Sequence, residues 1–214
     1  MPVSAPGVLL LLPLALVAVT GLPASAQSAT TAAPTWSVSP SLMVYAIPDE
    51  DPFVQPSVSI DRGRLHLEGR YNYEDRETGS AWVGVNTGGG DALWWEFTPM
   101  VGVVFGRSQG VAPGYRGAVG WKRLEFSSEG EYVFDAEDSS ASFFYNWSET
   151  TVGLTEWLRL GVAAQRTRLY AQDGRDIQRG LVAGATIGPL DATVYVFNPD
   201  DSRPIVIASV AVGF

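Results

Sequence analysis

Charged side chains recur in this chain at alternate positions of runs whose other positions are apolar. His66, Glu68, Arg70, Asn72 and Glu74 share one parity, and Leu65, Leu67, Gly69, Tyr71 and Tyr73 share the other. Trp94, Glu96, Thr98 and Met100 likewise oppose Leu93, Trp95, Phe97, Pro99, Val101, Val103 and Phe105. Glu129 and Glu131 form a same-face pair further on, and Arg159 with Gln165 lies on a fourth run. Side chains two residues apart point the same way from an extended backbone. Glu68, Arg70, Glu74, Glu96, Glu129, Glu131 and Arg159 are therefore candidates for one enclosed, charged surface. Two chemistries fit such a surface. Around water, the charges select solutes by sign, and the excess of acid predicts a weak preference for cations. Without water, Glu and Arg must form a ladder of ion pairs, because an isolated buried charge is too costly to leave unpaired. Both readings stay open at the level of sequence.

Strands are the elements that would hold these faces. The chain divides into twelve strand-like runs, near residues 36–47, 53–60, 64–74, 80–87, 92–105, 114–122, 125–135, 142–152, 157–170, 177–188, 191–198 and 205–214. Ten is the alternative, reached by fusing Trp36–Ile60, where Pro40, Pro48, Pro52 and Pro56 blur the boundaries. Two kinds of break alternate between the runs. One kind is mostly longer and, except for Gly106–Pro113, acidic: Pro48–Pro52, Asp75–Gly79, Asp135–Ala141, Ala171–Asp176 and Asn198–Pro204. The other is short and turn-like: Asp61–Gly63, Thr87–Asp91, Lys122–Glu125, Gly153–Glu156 and Gly188–Leu190.

The last run, Ile205–Phe214, puts Val206, Ala208, Val210, Val212 and Phe214 on one parity and Ile207, Ser209, Ala211 and Gly213 on the other. Alternation over about ten residues is the length of a tilted strand crossing a bilayer. The strand rhythm, the signal-like first segment and the terminal aromatic together resemble bacterial outer-membrane β-barrel proteins of the porin-like class. That resemblance implies an all-β fold: a transmembrane up-and-down antiparallel barrel, with short periplasmic turns and longer loops outside. It also implies that Phe214 is the signal read by the barrel-assembly machinery. No transport or catalytic motif of a characterised family accompanies it.

Residues 1–26 read as a signal peptide. Val8 to Val19 is an apolar run broken by Pro13, and Ala24-Ser25-Ala26 forms an A-x-A cleavage site after it. Met1 to Gly7 carries no Lys or Arg, which departs from the usual pattern. The apolar run is shorter than the roughly 20 residues of a membrane-spanning helix. Residues 27–35 then make a small polar periplasmic lead-in, and residues 36–214 make the barrel. The chain has no cysteine, so an exported protein must find its stability elsewhere, and closing a barrel removes every sheet edge. The net charge of −9 argues against nucleic acid, whose binding needs basic patches.

Some positions leave their facing open. Leu158, Leu160, Val162 and Ala164 share parity with Arg166 and Arg168. Either a bulge near Ala163-Ala164 turns both arginines inward, or they face outward and meet lipid phosphates. Arg179 poses the same question. In Phe143–Thr151 the parity is undecided, with Glu149 better placed inside. Tyr71, Tyr73, Tyr115, Tyr132 and Phe134 fall near predicted strand ends, where aromatic girdles sit.

Other chemistry finds little support. His66 is the only histidine. A hydrolase of the outer-membrane phospholipase type needs a His and a Ser two residues apart on the lipid face near the outer rim. His66 is instead followed by Leu67 and Glu68, on the polar face beside a predicted turn. An omptin-type protease needs a rim His, and none exists. Glu129 and Glu131 match an acid/base pair in spacing alone. The acidic stretches Asp49-Glu50-Asp51 and Asp135–Asp138 offer oxygen ligands for Ca²⁺ or Mg²⁺, but they read equally as solvated loops. Gly88-Gly89-Gly90-Asp91 precedes a strand rather than a helix, so it reads as a turn and not a phosphate-binding loop.

The expectation is thus a non-enzymatic barrel in the outer membrane of a Gram-negative-type envelope, without cofactor or metal. It would touch outer-membrane lipid or lipopolysaccharide and pass small polar solutes. The alternative is a non-conducting barrel, structural or binding lipopolysaccharide or another ligand; a lipid-modifying hydrolase comes third.

Overall fold

A computed structural model describes residues 34–169 and 176–214. The signal peptide expected at 1–26, residues 27–33 of the expected lead-in and residues 171–175 of the loop expected at Ala171–Asp176 lie outside the described residues. The side chain of Arg168 does so too.

The strands are β1 (Trp36–Ala46), β2 (Phe53–Arg62), β3 (Leu65–Tyr71), β4 (Thr78–Val85), β5 (Thr87–Gly90), β6 (Leu93–Gly106), β7 (Gly110–Trp121), β8 (Leu124–Asp135), β9 (Phe143–Gly153), β10 (Leu158–Leu169), β11 (Asp176–Ile187), β12 (Leu190–Phe197) and β13 (Ile205–Val212). Neighbours in sequence pair antiparallel, β1 pairs with β13, and β4 pairs with β6, so the sheet closes on itself. The short β5 pairs only with Trp94–Phe97 of β6. It continues the line of β4 past Asn86, so β4 and β5 form one stave of a closed twelve-strand antiparallel barrel. Phe214 is tied into the closure, since its N–H donates to Val38 O and its carbonyl accepts from Val38 N.

Parity sorts the side chains. Val38, Leu42 and Val44 on β1, Val101, Val103 and Phe105 on β6, and Val206 and Val210 on β13 face out and stay exposed. Met43, Tyr45, Ile207 and Ser209, at the intervening positions, face in and are buried. An apolar exterior this extensive is a liability in water and is what bilayer hydrocarbon covers. Closure satisfies the strand backbone without help from solvent, which a membrane requires. Glycine lets large rings lie flat on the wall. A Cβ on Gly102 would come within 2.5 Å of the Trp82 ring inside, and one on Gly130 within 2.8 Å of the Tyr115 ring outside.

Several sequence expectations need correction. Tyr73, expected with Tyr71 on the lipid face, is buried inside. The third run stops at Tyr71 because Asn72 and Glu77 adopt left-handed φ values of 58° and 57°. The chain then folds back into the bore, with Gln55 Nε2 donating to Asn72 O at 2.6 Å and Asn72 Nδ2 donating to Val54 O at 2.9 Å. Thr87–Asp91, expected as a turn, is mostly β5. Gly88 is needed there because a Cβ would press on Trp95 O at 2.8 Å, a close backbone approach rather than a reversal. Gly110–Pro113, expected in a loop, opens β7, and Pro113 is accommodated opposite Val101 on the outer face. The bulge near Ala163 does not form. The β9–β10 ladder is unbroken from Arg159–Gly153 to Leu169–Phe143, so Arg166 keeps the outward parity of Val162. Arg179 also faces out.

Candidate functional site

The inner faces build two unlike chambers, one towards the longer loops and one towards the short turns. The loop-end chamber is filled. Met43, Tyr45, Trp147, Tyr195, Phe197 and Ile207 are each no more than 1 % exposed. Trp147 meets Tyr195 and Phe197 edge-on, with centroids 5.2 and 5.0 Å away. That geometry suits the ring quadrupoles and leaves no room for water between them. The inward-folded loop Asn72–Glu77 adds Tyr73 and Glu74 to this filling, both buried.

Mid-barrel, Arg70 on β3 is the centre of the charge network. Its Nε and NH2 lie 3.0 Å from the two oxygens of Glu68, and its NH1 donates to Glu131 Oε2 on β8 at 3.0 Å. The guanidinium is sandwiched between Tyr73 and Trp82, 3.9 and 4.6 Å from their ring centroids. Tyr73 Oη donates to Glu129 Oε1 at 2.6 Å. Arg116 on β7 reaches Glu68 at 3.4 Å and Glu129 at 4.0 Å. Non-adjacent staves are thereby tied together across the bore.

The turn-end chamber is wet in character. A cavity of about 390 Å³ is lined by Ser39, Ser59, Asp61, His66, Glu96 and Thr98, among others. His66 sits on its wall with Nδ1 2.8 Å from Asp61 and Nε2 3.4 Å from Glu68. Both ring nitrogens face carboxylates, so the ring is not poised against a serine. Asn86 Nδ2 donates to Asp61 at 2.6 Å, and Thr98 Oγ1 donates to Asn86 Oδ1 at 2.7 Å. On the opposite wall, Arg159 makes a bidentate pair with Asp191 at 2.6 and 2.7 Å and donates to Thr186 and Thr193.

Every lumen candidate from the sequence therefore points inward, but they do not share one environment. Glu68, Arg70, Glu129 and Glu131 meet in the central network. Glu74 lies above it in the buried loop. Glu96 stands in the open cavity, and Arg159 belongs to a separate pair near the turn end. Gln165 is buried and donates to Gln178. The sequence reading missed Asp61, Arg116 and Asp191 as partners. Parity was the available signal, because Arg116 alternates in phase with buried Ala112 and Ala118, and Asp191 with Thr193 and Tyr195. Among the described residues, no group of three His, Cys, Asp or Glu side chains is placed to hold a metal. Asp135 instead accepts the N–H groups of Glu137 and Asp138, which shapes its loop.

No protein-family model and no curated protein matches the sequence. Solved structures do match the fold. A KdgM porin superposes with a TM-score of 0.58 at 11% identity, over 82% of this chain and 99% of that one. A KdgM porin in complex with disordered oligogalacturonate gives 0.56 at 11% identity, over 83% and 99%. Pseudomonas aeruginosa OccK5 (OpdH) gives 0.45 at 8% identity, over 80% of this chain and 62% of that one. At these identities the likeness is one of architecture: the chain has a porin-like barrel fold.

Proposed function

We propose that this protein is an outer-membrane, porin-like channel for small polar solutes, with a weak preference for cations. In this reading the short-turn end is periplasmic and the cavity beside Glu96 is a vestibule. The observation that carries the proposal is the lining of that vestibule. It is roomy and polar, and its lining holds two carboxylates, Asp61 and Glu96, against one guanidinium, Arg116. Low-dielectric walls lined by one sign of charge raise the local concentration of the opposite ion. The same acid excess disfavours a polyanion, so the oligogalacturonate of the KdgM complex does not carry over as a substrate. Flux would be limited mid-barrel, where Arg70, Tyr73 and Glu131 narrow the bore, and again by the packed rings of the loop-end chamber, and would depend on displacement of the Asn72–Glu77 loop and of those rings.

Single-channel recording of the refolded protein in a planar bilayer tests this. Small, steady conductance with a cation-selective reversal potential is expected. A second reading, a non-conducting barrel, is favoured by the fully buried rings of the loop-end chamber. A folded, inserted and silent barrel would establish it and remove the channel.

A further inference from the structure

The outer face of β7–β11 interrupts the apolar belt. Ladder registers set Gly117, Ser128, Ser148, Ala164 and Arg179 in one row across these strands. The row above, towards the loops, holds Tyr115, Gly130, Asn146 and Arg166. The row below holds Phe126, Thr150, Val162 and Leu181. The small side chains of Ser148 and Ala164 leave a trench of about 570 Å³ between Phe126 and Leu181, with Arg179 at one end. A row along the hydrogen-bonding direction crosses a tilted barrel obliquely, so the trench slants through the belt as a lipid chain can.

The polar side chains of the first row and the row above it satisfy one another. Asn146 Nδ2 donates to Tyr115 Oη at 3.0 Å and to Ser128 Oγ at 3.1 Å, and Ser148 Oγ donates to Asn146 Oδ1 at 3.1 Å. These groups can meet hydrocarbon without a ligand. The arginines cannot. Arg166 and Arg179 hold diagonal positions on β10 and β11, where Cβ atoms lie about 7–8 Å apart and long side chains converge. Neither makes an ion pair among the described residues, and Arg166 Nε is buried without a hydrogen-bond partner. Glu149 and Asp200 also border the trench, but Glu149 has the inward parity of its partner Ala163, and Asp200, the remaining carboxylate among the described residues, does not balance two guanidinia. An anion from outside the chain fits them, and an apolar trench beside it fits that anion's acyl chain.

We propose that this trench binds a phosphate-bearing lipid of the surrounding leaflet. Its phosphate lies on Arg166 and Arg179, and one acyl chain lies along the small-residue row. The proposal rests on the outer-membrane reading above. The test is native mass spectrometry of the folded barrel in detergent. It is titrated with bis-phosphorylated lipid A, with the same lipid lacking both phosphates, and with inorganic phosphate. One phosphorylated lipid per barrel is expected, with retention at least tenfold weaker for the dephosphorylated lipid and for the R166Q/R179Q variant. Inorganic phosphate should not displace it. Ala164→Leu, which fills the trench without touching charge, should also weaken retention, whereas Arg62→Gln, exposed at the turn end, should not. Folding of each variant is read from heat-modifiable gel migration.

Equal retention of the two lipids, or full retention by R166Q/R179Q, overturns the proposal. Displacement by inorganic phosphate makes the site one for a free anion and overturns the lipid assignment. A barrel that inserts and conducts but retains no lipid removes this proposal alone; one that fails to insert removes the outer-membrane reading.

Discussion

The two chambers of the bore obey different rules although the same strands line both. Towards the loops, inward positions carry Tyr45, Trp147, Tyr195 and Phe197, which pack as a soluble protein's core packs. Towards the turns, the same parity carries Ser39, Ser59, Asp61 and Thr98 around open space. Barrel width does not separate them, because the staves are shared. Side-chain volume and the infolded Asn72–Glu77 loop do. Between them lies Arg70, fixed by two carboxylates and two rings, so the boundary is electrostatic as well as steric.

The boundary is where the largest effect is expected. Arg70→Met leaves Glu68 and Glu131 buried without their shared cation, a loss of about 3–5 kcal/mol for a broken buried pair. The urea midpoint of the folded barrel in detergent should fall accordingly. Adding Glu68→Gln and Glu131→Gln to the same variant should restore most of that loss, since the uncompensated charges are then gone. Failure of the triple variant to recover would mean that Arg70 acts through its packing on Tyr73 and Trp82 rather than through charge.

Trp147→Ala tests whether the loop-end chamber is a true core. Truncating a fully buried aromatic costs about 3–5 kcal/mol when the site cannot collapse, and barrel staves tied by ladders on both sides are poorly placed to collapse. If the channel reading holds, conductance should rise as stability falls. A small stability loss would erase the contrast between the two chambers.

The contrast was only half legible in the sequence. Strand rhythm and facing were legible because a closed barrel with an apolar outer face enforces strict period-two alternation: Leu65 to Arg70 and Leu93 to Phe105 read correctly from parity alone. Inwardness of Glu129, Glu131 and Arg159 followed from the same rule. Partnership did not, because it depends on register between staves distant in sequence. Nothing near Arg159 announces Asp191, and nothing near Arg70 announces Glu131. Tyr73 was misread for a related reason. Its parity continues the outer face of β3, but left-handed Asn72 and the contacts of Gln55 and Val54 reverse the chain before it. The triple glycine at 88–90 looked like a turn, whereas its small size serves the close pairing with Trp95.

Tyr73→Phe sharpens the role of that reversal. The ring remains to stack on Arg70, and only the hydrogen bond to Glu129 Oε1 is lost. A buried acceptor left unsatisfied costs about 1–3 kcal/mol, less than either substitution above. The informative readout is proteolysis of the Asn72–Glu77 loop in the folded protein. Faster cleavage in Tyr73→Phe would show that this bond holds the loop in the bore. Unchanged cleavage would assign its anchoring to the ring stack and to Asn72.

Glu96→Gln should barely move stability, within about 0.5 kcal/mol, because it is an exposed position that feels Arg116 and Asp61 only through space. Its value lies in that silence. No ion pair involves Glu96 among the described residues, and no strand is tied by it, so a change in ion selectivity cannot be traced to a distorted barrel. If the vestibule sets the cation preference, the reversal potential under a salt gradient should shift towards zero while unitary conductance stays nearly constant. The central carboxylates cannot give so clean an answer, since altering Glu68 or Glu131 also releases Arg70. An unshifted reversal potential in a conducting Glu96→Gln barrel would move the selectivity element from the open chamber to the Arg70 boundary, where three carboxylates and two guanidinia already face one another.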